Sequence, residues 1–523
     1  MLKKFYLPLL MIISLQVAGQ IPEDAIRIGW SVPSGTARQQ AIGGAMGSLG
    51  GEISALFANP AGLGMYKTGE VVLSPGFSFL KGKSEYLGSK LAGDRSSKFN
   101  FGTSGIVLGY SERYSRWAAK AFSIGVNRTA NFNNTVVYKG ANAYSSFTEP
   151  LANEFFNYYS TQKQNNPGLP NSVIIDNALN STDISLQTKM ALYTYLVDID
   201  SANGESTVIS RAEKVGNVNQ QNTIITKGGI TEVAFGFAGN MDDKLYIGGS
   251  IGVPILNYER TTVFRESDIG AASNNFNFSS YQEQYSSKGI GINLRLGIIF
   301  KPADFVRLGF AVHTPTMYGL KDNSSSKLVT DVEQLFAPAS GLDSVQSTTF
   351  GQDPEIKYDL VSPWKFMVSG AYVFREAEDV TKQKGFITAD VEYATYATSR
   401  FSPADETVSS DYYKNVNTAI KAIYKSAFNF RIGGELKFKT IMTRLGFAYY
   451  GKPYDDKNLK AHRMNASGGL GYRNKGIFLD LTYVHSLNKD VHFPYRVDAP
   501  RSNTFADLKE SNGNVLLTLG FKF

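Results

Sequence analysis

The chain of 523 residues contains no cysteine. Without thiols it can form neither disulfide bridges nor cysteine metal sites, and thiol catalysis is excluded. Histidine is also scarce, with four in the chain, and no HExxH sequence is present. After the first 20 residues, no run is long and apolar enough for a transmembrane helix, which needs about 20 such residues. We therefore expect no enzyme, no cofactor and no helical membrane span.

The first 19 residues have the three parts of an export signal. Lys3 and Lys4 form the basic end, Leu7 to Leu15 the apolar run, and Val17-Ala18-Gly19 a small-residue cleavage site. We expect residues 1–19 to be a cleaved signal peptide. The net charge of +7, which becomes +5 without the two lysines of the signal, is a mild excess with no basic cluster. Nucleic acid is therefore not an expected partner.

From about residue 70 to the end, apolar and polar residues alternate, which indicates β-strands. In 428–438, for example, most even positions are aromatic or aliphatic, while the odd positions include Asn429, Arg431 and Glu435. The segments are about 9 to 13 residues long, which suits a tilted membrane-spanning strand better than the strands of a soluble sandwich. The predicted strands are 70–80, 99–111, 117–138, 223–240, 244–258, 285–300, 304–315, 355–375, 385–398, 426–438, 441–451, 463–473, 476–486 and 512–523.

The links between these strands alternate in length. Short links lie near 112–116 and 241–244, and long ones near 139–222 and 316–354. This alternation of short and long links is typical of outer-membrane barrels, which have tight periplasmic turns and long outer loops. We therefore predict an all-β fold, a transmembrane antiparallel β-barrel of about 14 strands over residues 70–523, with both of its ends on the periplasmic side.

A glycine-dense and nearly uncharged stretch, Ala41 to Gly64, lies between the signal and the first predicted strand. It is too flexible for a good helix and too poor in large side chains to build a core of its own, but it can lie compactly inside a larger structure. It ends in Asn59-Pro60-Ala61-Gly62. The asparagine can hydrogen-bond to backbone groups, the proline fixes φ, and the alanine and glycine permit a close approach.

The stretch Gly35 to Gly64 resembles the N-terminal hatch of the FadL/TodX family of outer-membrane transporters for hydrophobic compounds, in the form common among Bacteroidetes. The match is carried by Gly35-Thr36-Ala37-Arg38 and by Ala55-Leu56-Phe57-Ala58-Asn59-Pro60-Ala61-Gly62. The resemblance implies a 14-stranded barrel in the bacterial outer membrane, with residues 20–69 as a hatch inside the lumen and Asn59 to Gly62 as its gate. It also implies that the Asn-Pro-Ala element contacts the wall near a kink in the third strand. Gly125 is the candidate for this kink, and the alternative is that Gly125 only makes room for the hatch.

The implied function is passive uptake of hydrophobic small molecules, such as fatty-acid-like or aromatic compounds, by a monomer that contacts outer-membrane lipid. Four arginines predicted to face the lumen could pair with a carboxylate of such a ligand. Equally, they could pair with carboxylates across the lumen. The arginines are Arg295, Arg307, Arg431 and Arg444, and the carboxylates are Glu232, Asp390, Glu392, Glu435 and Asp480.

Two other interpretations remain open. A haem-binding outer-membrane receptor could use His462 and His492, which lie in predicted outer loops. A structural or adhesin barrel could use the long loop at 139–222, which contains helix-like pieces at Thr148 to Gln162 and Leu186 to Val197, but such a barrel would not need a hatch. A smaller helix-like piece runs from Asp411 to Tyr424.

Overall fold

The computed structural model describes residues 22–523, apart from 31, 33, 94, 113, 203–204, 271, 337–338, 352–354, 375–383, 405–409, 458, 460 and 499–500. The expected signal peptide lies outside the described residues. Fourteen antiparallel strands form one barrel, which confirms the prediction from the alternating pattern. The last strand pairs with the first and so closes the ring. Among the described residues, the helices are all too short or too polar to cross a membrane.

Several of the wall strands consist of two or three segments in line. The strands are β1 (Glu70–Leu73, Pro75–Leu80 and Gly82–Tyr86), β2 (Ser89–Ala92, Ser96–Phe101 and Ser104–Ser111), β3 (Trp117–Asn131 and Asn134–Asn142), β4 (Val218–Met241), β5 (Leu245–Asp268), β6 (Phe278–Ala303), β7 (Val306–His313 and Met317–Asp331), β8 (Ile356–Val361 and Lys365–Phe374), β9 (Gly385–Ala394 and Arg400–Pro403), β10 (Ala427–Phe438), β11 (Ile441–Tyr450), β12 (His462–Asn474), β13 (Ile477–His492) and β14 (Ala506–Lys522).

The helices lie in the N-terminal segment and in the long connections. They are α1 (Pro22–Gly29), α2 (Ala37–Ala41), α3 (Glu149–Asn165), α4 (Asn171–Asn180), α5 (Leu186–Tyr193), α6 (Arg211–Val215) and α7 (Ser410–Ile423). Short 3₁₀ helices span Ile53–Leu56, Pro60–Met65, Ser347–Phe350 and Tyr396–Thr398. A separate hairpin joins Val197–Ala202 to Glu205–Ser210, and Leu342–Gln346 pairs with the end of β7.

The outward face of the wall carries an apolar band. Along β6, every second side chain from Ile290 to Phe300 is aliphatic or aromatic, and each is at least 37% exposed. The inward side chains between them include Asn293 and Arg295, both only 8% exposed. Ten residues of a tilted strand rise about 25 Å, which is the height of the apolar band of a membrane barrel. The band therefore faces lipid.

The strands β4, β5 and β6 are longer than a membrane requires, with 24, 24 and 26 residues. About 9 to 11 residues are enough to cross. The extra length extends the sheet on the side of the long connections, which we call the loop end. The opposite side, where links such as 242–244 are short, is the turn end.

The connection between β3 and β4 folds into a cap at the loop end. Phe155 of α3 and Met190 of α5 are buried there in one apolar cluster with Phe264 of β5 and Leu328 of β7. The two strands extend a few residues beyond their predicted ends, so the connection covers 143–217. The cap thus packs on the part of the sheet that projects beyond the lipid band.

A second apolar cluster fills the loop end of the lumen. It joins Trp30, which follows α1, to Ile420 of α7 and to wall aromatics such as Tyr258. The Arg463 guanidinium lies 4.0 Å from the centre of the Trp30 ring and donates to the Trp30 carbonyl. Helix α1 therefore stands at the loop end of the lumen.

Candidate functional site

The N-terminal segment, residues 34–66, contacts the inward face of the wall on opposite sides of the ring. Helix α2 contacts β12 and β13, while the 3₁₀ helix Pro60–Met65 contacts β4, β5 and β6. The side chains of Ala37, Ile42 and Leu56 are fully buried. The segment therefore fills the cross-section of the barrel between these strands.

Glycines on the inward face of the wall give the segment its room. Gly433 on β10 and Gly446 on β11 are cross-strand partners. A Cβ at Gly433 would lie 2.2 Å from the Ile42 carbonyl oxygen, and one at Gly446 would lie 2.0 Å from the Gly43 nitrogen. Any larger side chain would push the segment away, so the spread of glycines through the wall has a packing reason.

Asn59 anchors the segment by its side chain. Its Nδ2 donates to the Gly47 carbonyl at 2.6 Å, and it lies 3.3 Å and 3.4 Å from the carbonyl oxygens of Ile298 and Phe310. Its Oδ1 accepts from the Ala61 N–H at 3.1 Å and so caps the 3₁₀ helix that Pro60 begins. Asn59 is completely buried. Its wall contacts lie on β6 and β7, so the expectation of a contact near the third strand is wrong for this residue.

The third strand contacts the residues that precede Asn59. A Cβ at Gly125 would lie 2.9 Å from Leu56 Cδ2 and 3.4 Å from Phe57 Cε2. Gly125 pairs with Gly105 and Ala234 in regular register, and the nearest irregularity of β3 lies four residues on, at Thr129. Gly125 thus makes room for the segment, and the bulge is elsewhere on the strand.

The wall is interrupted between β2 and β3, and the N-terminal segment fills the interruption. The Ser104–Ser111 part of β2 pairs with β3, but for the Ser96–Phe101 part the only described partner is β1. Ser34 lies beside this break and donates its N–H to the Arg128 carbonyl of β3 at 3.1 Å. The next residue, Gly35, accepts from the Thr103 N–H of β2 at 3.2 Å. Residues 34–35 therefore act as a short bridge between two wall strands.

A cavity of about 140 Å³ lies between the segment and the wall. Its charged lining residues are Glu232, Arg295, Lys365, Glu392 and Arg431, so three cations face two carboxylates. His313 also lines it, with Nε2 2.7 Å from the Ala58 carbonyl. The cavity is therefore polar, with an excess of positive charge.

Two of the predicted arginines are paired with carboxylates at this cavity. Arg295 Nη2 lies 2.8 Å from both oxygens of Glu232, and Arg431 Nη2 lies 2.7 Å from Glu392 Oε2. Lys365 differs, because among the described residues no carboxylate lies within 4.0 Å of its Nζ. The Nε and Nη1 atoms of Arg295 are buried without a hydrogen-bond partner. The charge that is open to a ligand therefore belongs to Lys365 and to the far edge of Arg295.

The other two arginines lie nearer the turn end. Arg444 is fully buried and contacts Glu435 at 2.6 Å and Asp480 at 2.5 Å. Arg307 lies 3.7 Å from the Met65 sulfur of the N-terminal segment. Asp390, a candidate arginine partner, accepts instead from the backbone N–H groups of Met46 and Gly47. Arg307 and Asp390 thus contact the segment from the wall, whereas Arg444 joins wall strands to one another.

The histidines of the haem hypothesis are not brought together. His462 is on the outward face of β12 and stacks on Tyr449, whereas His492 faces inward and its Nδ1 lies 2.9 Å from the Tyr138 hydroxyl. Burial at the loop end lowers the pKa of His492 to about 4. In the part of the chain that the structure describes, no three His, Asp or Glu residues are grouped to hold a metal ion.

No protein-family model and no curated protein sequence matches the chain. A Pseudomonas aeruginosa FadL homologue of known crystal structure superposes with a TM-score of 0.53 at 13% identity, over 95% of this chain and all of that one. The Pseudomonas putida toluene transporter TodX superposes with a TM-score of 0.50 at 13% identity, over 94% of this chain and 99% of that one. The chain has the FadL/TodX fold. At this identity the likeness is one of fold.

Sequence reasoning missed one contact between the N-terminal segment and the FadL/TodX-like wall. Arg38 and Glu52 are the only charged residues between Ile28 and Tyr66. Arg38 Nε lies 3.3 Å from Glu435 Oε2, and Glu52 accepts from the hydroxyls of Thr36 and Ser54 at 2.7 and 2.8 Å. Because these two charges are isolated in an otherwise uncharged stretch, the sequence could have indicated that each has a buried polar partner.

Proposed function

We propose that the protein is a bacterial outer-membrane channel for the passive uptake of hydrophobic small molecules, and that residues 20–69 are its hatch. The position of residues 34–35 is the observation that carries this proposal, because they bridge β2 and β3 where the wall pairing is interrupted. The FadL/TodX fold supports it, since TodX is a toluene transporter. A sealed structural barrel would need neither a polar cavity beside the segment nor a removable bridge.

In the proposed pathway, a ligand enters past the aromatic cluster of α1 and α7 and reaches the cavity beside the segment. Burial of apolar ligand surface favours this step by about 0.8 kcal/mol for each CH₂ group. Withdrawal of residues 34–35 frees the Arg128 carbonyl and the Thr103 N–H, both of which they now satisfy. The break between β2 and β3 then gives a sideways exit toward the membrane.

The cavity favours ligands that have one acidic end. Arg295 and Arg431 are paired with Glu232 and Glu392, so a ligand carboxylate would meet Lys365 first, with the unpartnered edge of Arg295 beside it. A neutral aromatic compound would fit the apolar part of the path without using this charge. We therefore place amphipathic acids, such as fatty acids, ahead of neutral hydrocarbons as ligands.

A disulfide that locks the hatch to the wall tests whether the hatch moves. Because the chain has no native cysteine, the two introduced thiols can pair only with each other. A Cβ at Gly469 would lie 2.8 Å from Ala41 Cβ, so the pair Ala41→Cys and Gly469→Cys can join α2 to β12. The matched control is Ala427→Cys with Gly451→Cys, where a Cβ at Gly451 would lie 3.2 Å from Ala427 Cβ and the bridge joins two parts of the wall.

Uptake of oleate and of toluene into liposomes is measured for both pairs, oxidised and reduced. We expect the oxidised Ala41–Gly469 pair to block uptake, reduction to restore it, and the control pair to have no effect. Undiminished uptake by the locked protein would show that the hatch is not a gate. A haem Soret shift that is lost in His462→Ala with His492→Ala, together with no uptake by the wild type, would favour the haem receptor instead.

A further inference from the structure

Two rows of lysines stand on the outward face of the wall at the loop end. In the first lysine row, cross-strand register places Lys288, Lys321 and Lys357 directly opposite one another on β6, β7 and β8. In the second lysine row, Lys489, Lys509 and Lys83 are opposite one another on β13, β14 and β1. Neighbouring strands are about 4.8 Å apart, so each row holds three ammonium groups across about 10 Å.

The two rows have the same height on the barrel. Lys288 is 12 residues from Phe300, and Lys489 is 12 residues from Ile477, both exposed apolar residues of the turn end. Twelve residues of a strand tilted by about 40° rise about 30 Å, the thickness of the hydrocarbon layer. Both rows therefore lie where the apolar band ends and the lipid headgroups begin.

Within the protein, the rows are only partly neutralised. Glu355 lies 2.5 Å from Lys321 and 3.8 Å from Lys357, and Glu85 lies 3.9 Å from Lys509. The outward carboxylates Glu259 and Asp359 are near the first row, and the exposed Asp507 is two residues from Lys509 of the second, but none of them makes an ion pair with a row within 4.0 Å. For the other three lysines, no carboxylate of a described residue lies within 4.0 Å; they are Lys288, Lys489 and Lys83.

Each row thus has three cations and one carboxylate within 4.0 Å of them, Glu355 in the first row and Glu85 in the second. Like charges that lie directly opposite each other in a sheet are destabilising. Inside the protein, Glu355 and Glu85 offset only part of this repulsion. The same arrangement occurs twice, at one height, on separate parts of the wall.

We propose that the two lysine rows bind the phosphate groups of a phosphorylated glycolipid of the outer leaflet, that is, of lipopolysaccharide. The acyl chains of that lipid would lie against the apolar band beside Ile290 and Leu487, which are 56% and 44% exposed. Its phosphates would then stand at the level of the ammonium groups and relieve their repulsion. This inference depends on the proposed outer-membrane location, but neither on the hatch nor on the transported ligand.

The test measures binding of bisphosphorylated lipid A to the full chain in detergent. One variant changes Lys288, Lys321 and Lys357 to Gln, and another changes Lys83, Lys489 and Lys509 to Gln. A matched control removes three exposed lysines of the turn end, Lys244, Lys439 and Lys475, in the same way. We expect each row variant to bind at least tenfold more weakly than the wild type, and the control to bind normally.

Thermal unfolding adds a readout that a folding defect would not imitate. Without lipid A, the row variants should unfold at or above the temperature of the wild type, because like-charge repulsion is removed. With lipid A, the wild type should gain thermal stability and the row variants should gain less. Unchanged binding by the row variants, an equal loss in the control, or equal binding of dephosphorylated lipid A or phosphatidylglycerol would overturn the proposal. The liposome uptake assay tests the hatch and does not depend on lipid A. A failure of lipid A binding would therefore not contradict the proposed channel, and a failure of uptake would not contradict the lipid site.

Discussion

Thr103 on β2 donates its backbone N–H to the carbonyl oxygen of Gly35, at an N···O distance of 3.2 Å. A wall strand thus completes its hydrogen bonding with the N-terminal segment instead of with the neighbouring strand. Unpaired backbone groups are costly next to lipid, where water cannot satisfy them. The bridge therefore couples the seating of the segment to the closure of the wall.

Gly102→Val should weaken this coupling and increase leakage through the barrel. A Cβ at Gly102 would lie 2.1 Å from the Gly35 carbonyl oxygen, so any side chain there displaces the bridge. Efflux of a small apolar dye from liposomes measures the effect. Gly370→Val is the matched control, because a Cβ at that wall glycine meets no atom within 4 Å. Equal efflux from the two variants would mean that residues 34–35 do not close the wall.

The barrel could be predicted from the sequence because lipid outside and polar groups inside impose a period of two on each strand. β6 shows this, since its exposed Leu296 follows the buried Arg295. The partners inside the lumen could not be predicted. The register of β9 against β10 places Arg431 directly opposite Asp390, yet Arg431 pairs with the diagonal Glu392. Asp390 is instead occupied by the backbone N–H groups of Met46 and Gly47, which the sequence of the wall does not reveal. Likewise, nothing near Asn59 in sequence specifies the carbonyls of β6 and β7 as its neighbours.

Asn59→Ala should loosen the hatch and leave the barrel folded. The variant loses the buried hydrogen bonds to Gly47 and Ala61 and the weaker contacts to the wall, a cost of about 1–3 kcal/mol for seating the segment. Limited proteolysis should then cut within residues 34–66 sooner, while the heat-resistant migration of the folded barrel is kept. Asn100→Ala is the control, because the hydrogen bonds of Asn100 to described residues go to Ser78 and Asn514 of the wall. Equal protection of the segment in both variants would contradict an anchoring role for Asn59.

Glu266 should make the stability of the cap depend on pH. This carboxylate lies beyond the lipid band, is fully buried, and accepts from Ser146 Oγ and the Phe147 N–H. Burial raises its pKa from 4.5 to about 6, so the folded cap holds the proton more tightly than the unfolded cap does. The stabilisation is present below pH 4.5 and is lost as the pH rises through about 6, a change of about 2 kcal/mol.

Hydrogen exchange of the amides in 143–217, corrected for the intrinsic rate at each pH, measures this dependence. Glu266→Gln should remove most of it, because the amide oxygen still accepts hydrogen bonds but no longer titrates. Glu213→Gln is the control in the same cap, and it should keep most of the dependence because Glu213 is exposed whereas Glu266 is fully buried. If Glu266→Gln keeps the slope of the wild type, the pH dependence arises at another group.

Lys365→Met should reduce the preference for acidic ligands over neutral ones, and it should affect the uptake rate of neutral ligands less. Its Nζ lines the cavity without an ion pair to the described carboxylates, whereas Arg295 and Arg431 are each paired. A charge-assisted hydrogen bond to a ligand carboxylate contributes about 1.5–3 kcal/mol, so the ratio of oleate to methyl oleate uptake should fall by about tenfold or more. Lys365→Arg should keep the ratio, because the positive charge is retained. Lys384→Met, at an exposed lysine of the turn end, should keep it as well. An unchanged ratio in Lys365→Met would show that the acidic end of the ligand is recognised elsewhere, or that the transported compounds are neutral.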